Sequence, residues 1–126
     1  MKILDIRDVQ DVVVVSFLHG KILDQTVIRQ VGEEFKGLTT QAAADRRLLL
    51  NLSKVGFMAS AMIGQIMALH KQCKKDKVDL KLCCISPNIM EVFQITTLDK
   101  ILDIHDTEEK AIAAFGPPRR SWAQRQ

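Results

Sequence analysis

No apolar run in this chain approaches the roughly 20 residues needed to span a bilayer, so a membrane-crossing helix is not expected. The opening residues, Met1-Lys2-Ile3-Leu4-Asp5, carry an acid too early for a secretion signal, and a cytoplasmic protein is expected. Charge of one sign is scarce as well. The net charge of +3, from 18 basic and 15 acidic residues, is too small an excess to imply a nucleic-acid partner. The histidines His19, His70 and His105 are scattered without ligand-type spacing, so no metal site is expected, and His70 and His105 read as surface residues. There is no serine motif of the nucleophile-elbow type, no P-loop and no dinucleotide glycine fingerprint. An enzyme is therefore not expected, and no cofactor is implied. Of the cysteines, Cys73, Cys83 and Cys84, all three fit reduced structural thiols. Two adjacent cysteines in a strand point to opposite faces and should not bridge each other.

What is present is ordinary for one globular domain with one core: 126 residues, 47% hydrophobic and 26% charged. Residues 1–8 allow a first strand, with Ile3, Leu4 and Ile6 apolar. Val12-Val13-Val14-Val15-Ser16-Phe17-Leu18 is a β-branched run suited to a central strand buried on both faces. His19-Gly20-Lys21 breaks it. Asp24 is the expected N-cap of a helix running to about Lys36, with Val27, Ile28, Val31, Phe35 and Leu38 as its apolar stripe. Gly32 costs that helix about 1 kcal/mol relative to Ala, and close packing on the sheet is the expected reason. Residues 37–46 read as a link, with a helical turn at 41–45. Residues 47–53 read as a second central strand.

A second helix is expected from Ser60 to about Lys75. Its apolar positions Met62, Ile63, Ile66, Met67, Leu69 and Cys73 are too many for one narrow stripe, so some of that surface either meets a partner or packs under neighbouring loops. The basic run Lys71 to Lys77 is a solvated helix end or an acidic-partner patch. Residues 78–85 read as a strand with Leu80, Leu82 and Cys84 on one face. Ser86 and Pro87 open a short helix whose buried side is Ile89, Met90, Val92 and Phe93. Residues 98–104 hold a short last strand. Thr107 caps a final helix with Glu108 and Glu109 in its first turn, Ala111, Ile112 and Phe115 inward, and Gly116-Pro117-Pro118 as its stop. The tail from Arg119 to Gln126 is basic and carries the single Trp; it is either a frayed or packing tail or a docking peptide. No internal repeat is seen. Strands alternating with helices argue for an α/β layer on a largely parallel sheet.

The stretch with most functional content is Val55-Gly56-Phe57-Met58-Ala59-Ser60-Ala61-Met62-Ile63-Gly64. It joins a buried strand to a helix and puts Ser60 at or next to the helix start. A helix start carries unpaired N–H groups and the positive end of the dipole. A hydroxyl there either caps the helix or serves as a switch. A phosphate added to it would be held by the helix end while bringing about two negative charges to the surface.

Leu49-Leu50-Asn51-Leu52 followed by Phe57-Met58-Ala59-Ser60-Ala61-Met62-Ile63-Gly64 resembles the signature of the STAS domain, as do Cys84-Ile85-Ser86-Pro87 and Val92-Phe93-Gln94-Ile95-Thr96-Thr97-Leu98. The resemblance spans residues 11–115. It implies a single STAS domain over 1–116, followed by a basic C-terminal tail over 117–126. The fold would be α/β, a mixed, mostly parallel sheet of four or five strands flanked by about four helices. By the same resemblance the chain looks like an anti-sigma factor antagonist, the soluble single-domain kind in bacterial partner switching. Its partners would be an anti-sigma factor serine kinase of the histidine-kinase-like ATPase class and a PP2C-type phosphatase, with no nucleic acid and no membrane. The residue aligned with the phosphorylated serine is Ser60. Partner contacts would come from Gly20, Lys21, Leu23 and Asp24, and from Phe57, Met58, Ala59, Ser60, Ala61, Met62, Ile63 and Gly64. The sequence departs from the family pattern at Ala59, where an Asp is usual, at Ala61-Met62, where Ser-Gly is usual, and in a turn at Gly20 to Asp24 that is one residue longer. Met62 in place of a small residue is expected to stiffen or cover the site. A constitutive, unswitched binding or scaffold module is the alternative these departures imply.

Overall fold

The computed structural model describes residues 3–22, 24–42 and 47–116. A five-stranded sheet runs β1 (Leu4–Val9), β2 (Val12–Phe17), β4 (Arg47–Asn51), β6 (Asp79–Cys83), β7 (Ile104–His105), and a two-stranded ribbon pairs β3 (Lys21–Ile22) with β5 (Phe57–Met58). Only β1 is antiparallel to its neighbour; β2, β4, β6 and β7 are parallel. The helices are α1 (Gln25–Ala42), α2 (Ser60–Asp76), α3 (Pro87–Ile95) and α4 (Glu108–Phe115). The α/β class, the largely parallel sheet and the four helices are as expected.

The β-branched run forms β2, and pleating divides it between two cores. Val13, Val15 and Phe17 join Leu48, Leu50, Leu80 and Leu82 in the larger one, shared with α1, α2 and α3. Val12 and Val14 join Leu49, Cys83 and the Ala111, Ile112 and Phe115 face of α4 in the smaller one. Burial on both faces is what parallel strands under helical layers require. The β1–β2 connection is a two-residue hairpin, Val9 facing Val12, with Gln10 and Asp11 both in the left-handed region at φ 50° and 64°. That is the backbone a tight hairpin needs to match strand twist.

Asp24 caps α1 as expected: its Oδ1 accepts from Thr26 N–H at 2.7 Å and from Val27 N–H at 3.4 Å. The helix then passes the expected stop near Lys36 and runs to Ala42, so the supposed link is largely helical. Burial of Leu38, 1% exposed, rewards continuation through Gly37. Gly32 packs against α2 rather than on the sheet. A Cβ there would lie 2.6 Å from Gln65 Oε1, so glycine lets the two helices close together. The last expected strand is shorter than 98–104. Thr97, at φ 60°, turns the chain into a 3₁₀ turn at Leu98–Lys100, and only Ile104 and His105 pair with β6.

Ser86 and Pro87 open α3, with Ser86 Oγ accepting from Ile89 N–H, and Thr107 Oγ1 caps α4 by accepting from Lys110 N–H at 3.1 Å. Polar side chains then fasten α4 to the sheet. Glu108 Oε1 accepts from Arg7 at 2.7 Å and from Asn51 Nδ2 at 2.9 Å. Lys81 pairs with Asp103 and lies 5.0 Å from the Phe115 ring centre, while Arg47 donates to Gly116 O at 3.3 Å. His105 is half-buried, with Nε2 2.9 Å from Asp103 Oδ1, and His70 is half-buried too, so neither is the surface residue expected. Residues 117–126, including the basic tail, lie outside the described residues. Among those described, no helix is long and apolar enough to cross a membrane.

Candidate partner-binding face

The loop after β4 is built by the residues of its own sequence. Asn51 Oδ1 accepts from Ser53 N–H at 2.9 Å, an Asx turn that ends the strand, while its Nδ2 reaches Glu108. Val55 N–H bonds to Leu52 O and the Val55 side chain is buried, which pins the middle of the loop. Gly20 O then accepts from Gly56 N–H at 2.8 Å and Phe57 N–H at 3.2 Å, and β3 pairs with β5 through Lys21–Phe57 and Ile22–Met58. A Cβ on Gly20 would sit 3.3 Å from Lys54 O, so the approach favours glycine. The two stretches expected to share a face, around Gly20 and around Phe57, are therefore joined by backbone hydrogen bonds. Asp24 is exposed beside them as the α1 cap; Leu23 lies outside the described residues.

Ser60 is the first residue of α2 and is exposed. The N-cap is Ala59, at φ −74° and ψ 157°, and no side-chain hydrogen bond caps the helix. The Ser60 hydroxyl therefore does not cap the helix. Met62 and Ile63 N–H both return to Ala59 O, at 2.9 and 3.3 Å, and the N–H groups ahead of them have no earlier helical carbonyl to bond. The first turn holds no acidic residue, whereas Lys74 and Lys75 occupy the last. The helix start is thus an uncompensated positive end with a hydroxyl on it.

Beside it lies an apolar groove of about 80 Å³, lined by Phe57, Met58 and Ile63 on one side and Asn88, Ile89 and Val92 of α3 on the other. Ile63 is one turn from Ser60 on the same helical face. Phe57 is 53% exposed and Val92 39%, so the groove is rimmed by an exposed apolar patch. Gly64 and Ala61 are exposed, and a Cβ on Gly64 would meet nothing within 4 Å. Met62 is fully buried in the core and does not cover the serine, contrary to expectation. Val92, expected on the buried side of α3, faces the groove instead, and the core takes Ile89 and Phe93. Asn88, Val92 and Ile95, at helical spacing i, i+4, i+7, form a stripe beside the buried one. That second stripe was the sequence signal for the contribution of α3, which the expected site omits.

A larger cleft of about 390 Å³ separates α1 from α2, floored by Gly32 and lined by Phe35, Lys36, Gln65 and Gln72, away from the helix start. Among the described residues, no group of three or more His, Cys, Asp or Glu could hold a metal. Burial, then Asp76, pushes the Cys73 thiol up to about 12, and burial raises Cys83 further, so neither is an activated nucleophile.

A mixed, mostly parallel five-stranded sheet flanked by four helices defines a small α/β domain. The STAS domain model matches residues 4–111, and the chain belongs to that family. A candidate anti-sigma factor antagonist, BtrV of Bordetella bronchiseptica, is 31% identical over 71 residues, which cover 56% of this chain and 61% of BtrV. The chain thus matches about three fifths of that relative's length. An anti-sigma-factor antagonist (STAS) domain protein of Planctomyces limnophilus superposes with a TM-score of 0.76 at 26% identity, covering 88% of this chain and 96% of the other. The Bacillus cell fate determinant SpoIIAA in its phosphorylated form shares the fold at 21% identity and a TM-score of 0.67, covering 89% of this chain and 98% of that one.

Proposed function

We propose that this STAS domain is an anti-sigma factor antagonist that acts by docking, not catalysis, and that phosphorylation of Ser60 ends the docking. The observation that carries the proposal is an exposed serine at the first position of a 17-residue helix whose start no side chain caps, one turn from an apolar groove. The partner would be an anti-sigma factor serine kinase of the histidine-kinase-like ATPase class, with a PP2C-type phosphatase restoring the free serine. Gly20, Lys21, Leu23, Asp24 and the Phe57 to Gly64 stretch would form the contact, with Asn88 and Val92 added. SpoIIAA, a protein of this fold, takes a phosphate, and relatives carry the antagonist name.

The switch is local. A phosphate at Ser60 is favoured by the free N–H groups and dipole of α2, by about 0.3–1 kcal/mol, so the domain itself gains stability. Docking would have to strip water from that phosphate. A loss of about 3 kcal/mol weakens binding roughly 100-fold. The modified protein should therefore melt no lower than the unmodified one while binding far more weakly. Incubation with the cognate kinase and Mg-ATP, followed by intact mass, tests the site: one phosphate on wild type and none on Ser60→Ala is expected. No phosphate on wild type, or equal labelling of both, rejects Ser60.

A constitutive binding module is the second reading. It is favoured by Ala59 and by the lack of any acid in the first turn of α2, which removes a carboxylate contact available to a kinase. It predicts that Ser60→Asp leaves partner affinity unchanged. A tenfold or greater weakening of pull-down by Ser60→Asp would decide against it.

A further inference from the structure

Adjacent cysteines in a straight strand face opposite sides of the sheet, and that was the expectation for Cys83 and Cys84. Here Cys83 is the last residue of β6 and Cys84 leaves the strand in the left-handed region, at φ 62°. The turn brings both side chains against the α4 core, and their sulfurs lie 3.5 Å apart. Left-handed backbone at a residue other than Gly, Asn or Asp is uncommon. Of the four such residues described, Gln10 closes a hairpin together with Asp11, Lys77 ends α2 and Thr97 follows α3; Cys84 alone occupies a strand exit with a second thiol at its side. An observed outlier of this kind points to function. Cys84 is partly exposed while Cys83 is fully buried, beside Glu108 and Arg7.

We infer that Cys83 and Cys84 form an oxidisable dithiol, a modification site for hydroperoxides whose closure repositions α3. Cys84, the accessible member, reacts first. Its thiolate sulfur attacks one peroxide oxygen, the O–O bond breaks, hydroxide leaves, and Cys84 becomes a sulfenic acid. Cys83 then gives up its proton and attacks the Cys84 sulfur; the S–O bond breaks and water leaves. The departing hydroxide takes up the proton lost by Cys84, so two electrons pass from the two sulfurs and hydrogen peroxide ends as two waters, an organic hydroperoxide as an alcohol and one water. Burial disfavours the Cys83 thiolate, but its sulfur already lies 3.5 Å from that of Cys84; neighbouring Cα atoms about 3.8 Å apart are closer than a disulfide usually spans, so closing the bond requires the backbone at Cys84 to rotate. Closure is transmitted because Cys84 N–H is held by His105 O at 3.3 Å on one side, and Ser86, two residues on, is the α3 N-cap. Any rotation at Cys84 must move the start of the helix that supplies Asn88, Ile89 and Val92 to the groove. The consequence for partner docking rests on the function proposed above; the oxidation and the movement of α3 are properties of the isolated chain.

The test uses the full chain treated with hydrogen peroxide. Thiol titration in denaturant should fall from three, all cysteines of the chain, to one, with intact mass showing loss of two hydrogens, no dimer, and a peptide map linking Cys83 to Cys84. Cys84→Gly, which accepts the same backbone, should keep both of its thiols under identical treatment, and Cys84→Ser should do the same. Three surviving thiols in wild type, a link involving Cys73, or a disulfide dimer would overturn the dithiol. In ¹⁵N-labelled protein, amide signals of Asn88 and Val92 should move on oxidation and return with dithiothreitol. Oxidation without that movement would overturn the coupling to α3.

Discussion

Phe57 is the side chain in which folding and docking separate most cleanly. Fully burying a phenylalanine is worth about 1.5–3 kcal/mol, and Phe57 leaves 53% of its surface in solvent. Phe57→Ala should thus cost the fold about 1 kcal/mol, a fall in Tm of roughly 4 °C for a domain of this size. Phe93, fully buried, sets the contrast, because its truncation should cost about 3–5 kcal/mol. If the groove is a docking surface, the exposed half of Phe57 is buried only in the complex. Its loss then removes about 1 kcal/mol of transfer energy plus the contacts of an aromatic anchor, together about 1.5–2 kcal/mol. That is roughly a 10- to 30-fold rise in Kd. Ile6→Ala is the control: it is 41% exposed but sits on the outer strand β1, and it should leave Kd alone. Isothermal titration against the cognate anti-sigma factor and a urea melt read the two effects separately. A folded Phe57→Ala protein that binds within twofold of wild type would refute the assignment of this face.

Ala59→Ser should stabilise the protein by about 1 kcal/mol, since Ala59 already has the extended backbone of an N-cap and lacks only the oxygen; a Tm that does not rise would show that the helix start is satisfied in another way. Cys73 offers a pH test. Its thiol is raised from 9.0 to about 12 by burial and by Asp76, so between those values the unfolded chain has lost a proton that the native protein keeps. Native stability should be intact below pH 9 and fall as pH rises toward 12, with a shallower fall in Cys73→Ala, checked by urea midpoints across that range.

Much of the architecture was legible because local chemistry and global fold agree. The valine run of β2 could bury itself only between two layers. Asp24, Ser86 and Thr107 all cap the helices they precede. What was hidden has physical causes. The β1–β2 turn uses Gln10-Asp11, not the Asn-Gly pairing that announces a tight hairpin. Gly37 resembled a helix stop, but the burial of Leu38 outweighs about 1 kcal/mol of propensity. Strand alternation puts Cys84 on the Leu80 face, but the left-handed backbone at Cys84 resets that alternation. At the candidate site the serine and its loop could be read, whereas the pairing of Gly20 with Phe57 could not, because it is a tertiary hydrogen bond between unlike segments. Val92 was hidden for a related reason: α3 has apolar residues on two adjacent faces, Ile89 with Phe93 and Val92 with Ile95, and sequence spacing does not say which pair meets the core.

The departures at Ala59 and Met62 can be weighed on the same terms. Met62 points into the core with no exposed surface, so a bulky residue there adds to stability without touching the docking surface. Ala59 does the opposite. A side-chain cap would satisfy an N–H of the first turn and compete with a phosphate for it; alanine leaves that donor available. The lost stability is about 1 kcal/mol, and a phosphate on Ser60 would restore a comparable amount. Under the proposed function, an uncapped helix start would make the phosphorylated form the more stable fold and the poorer ligand. Those two properties would let charge alone control docking, since neither calls for the sheet or the core to move.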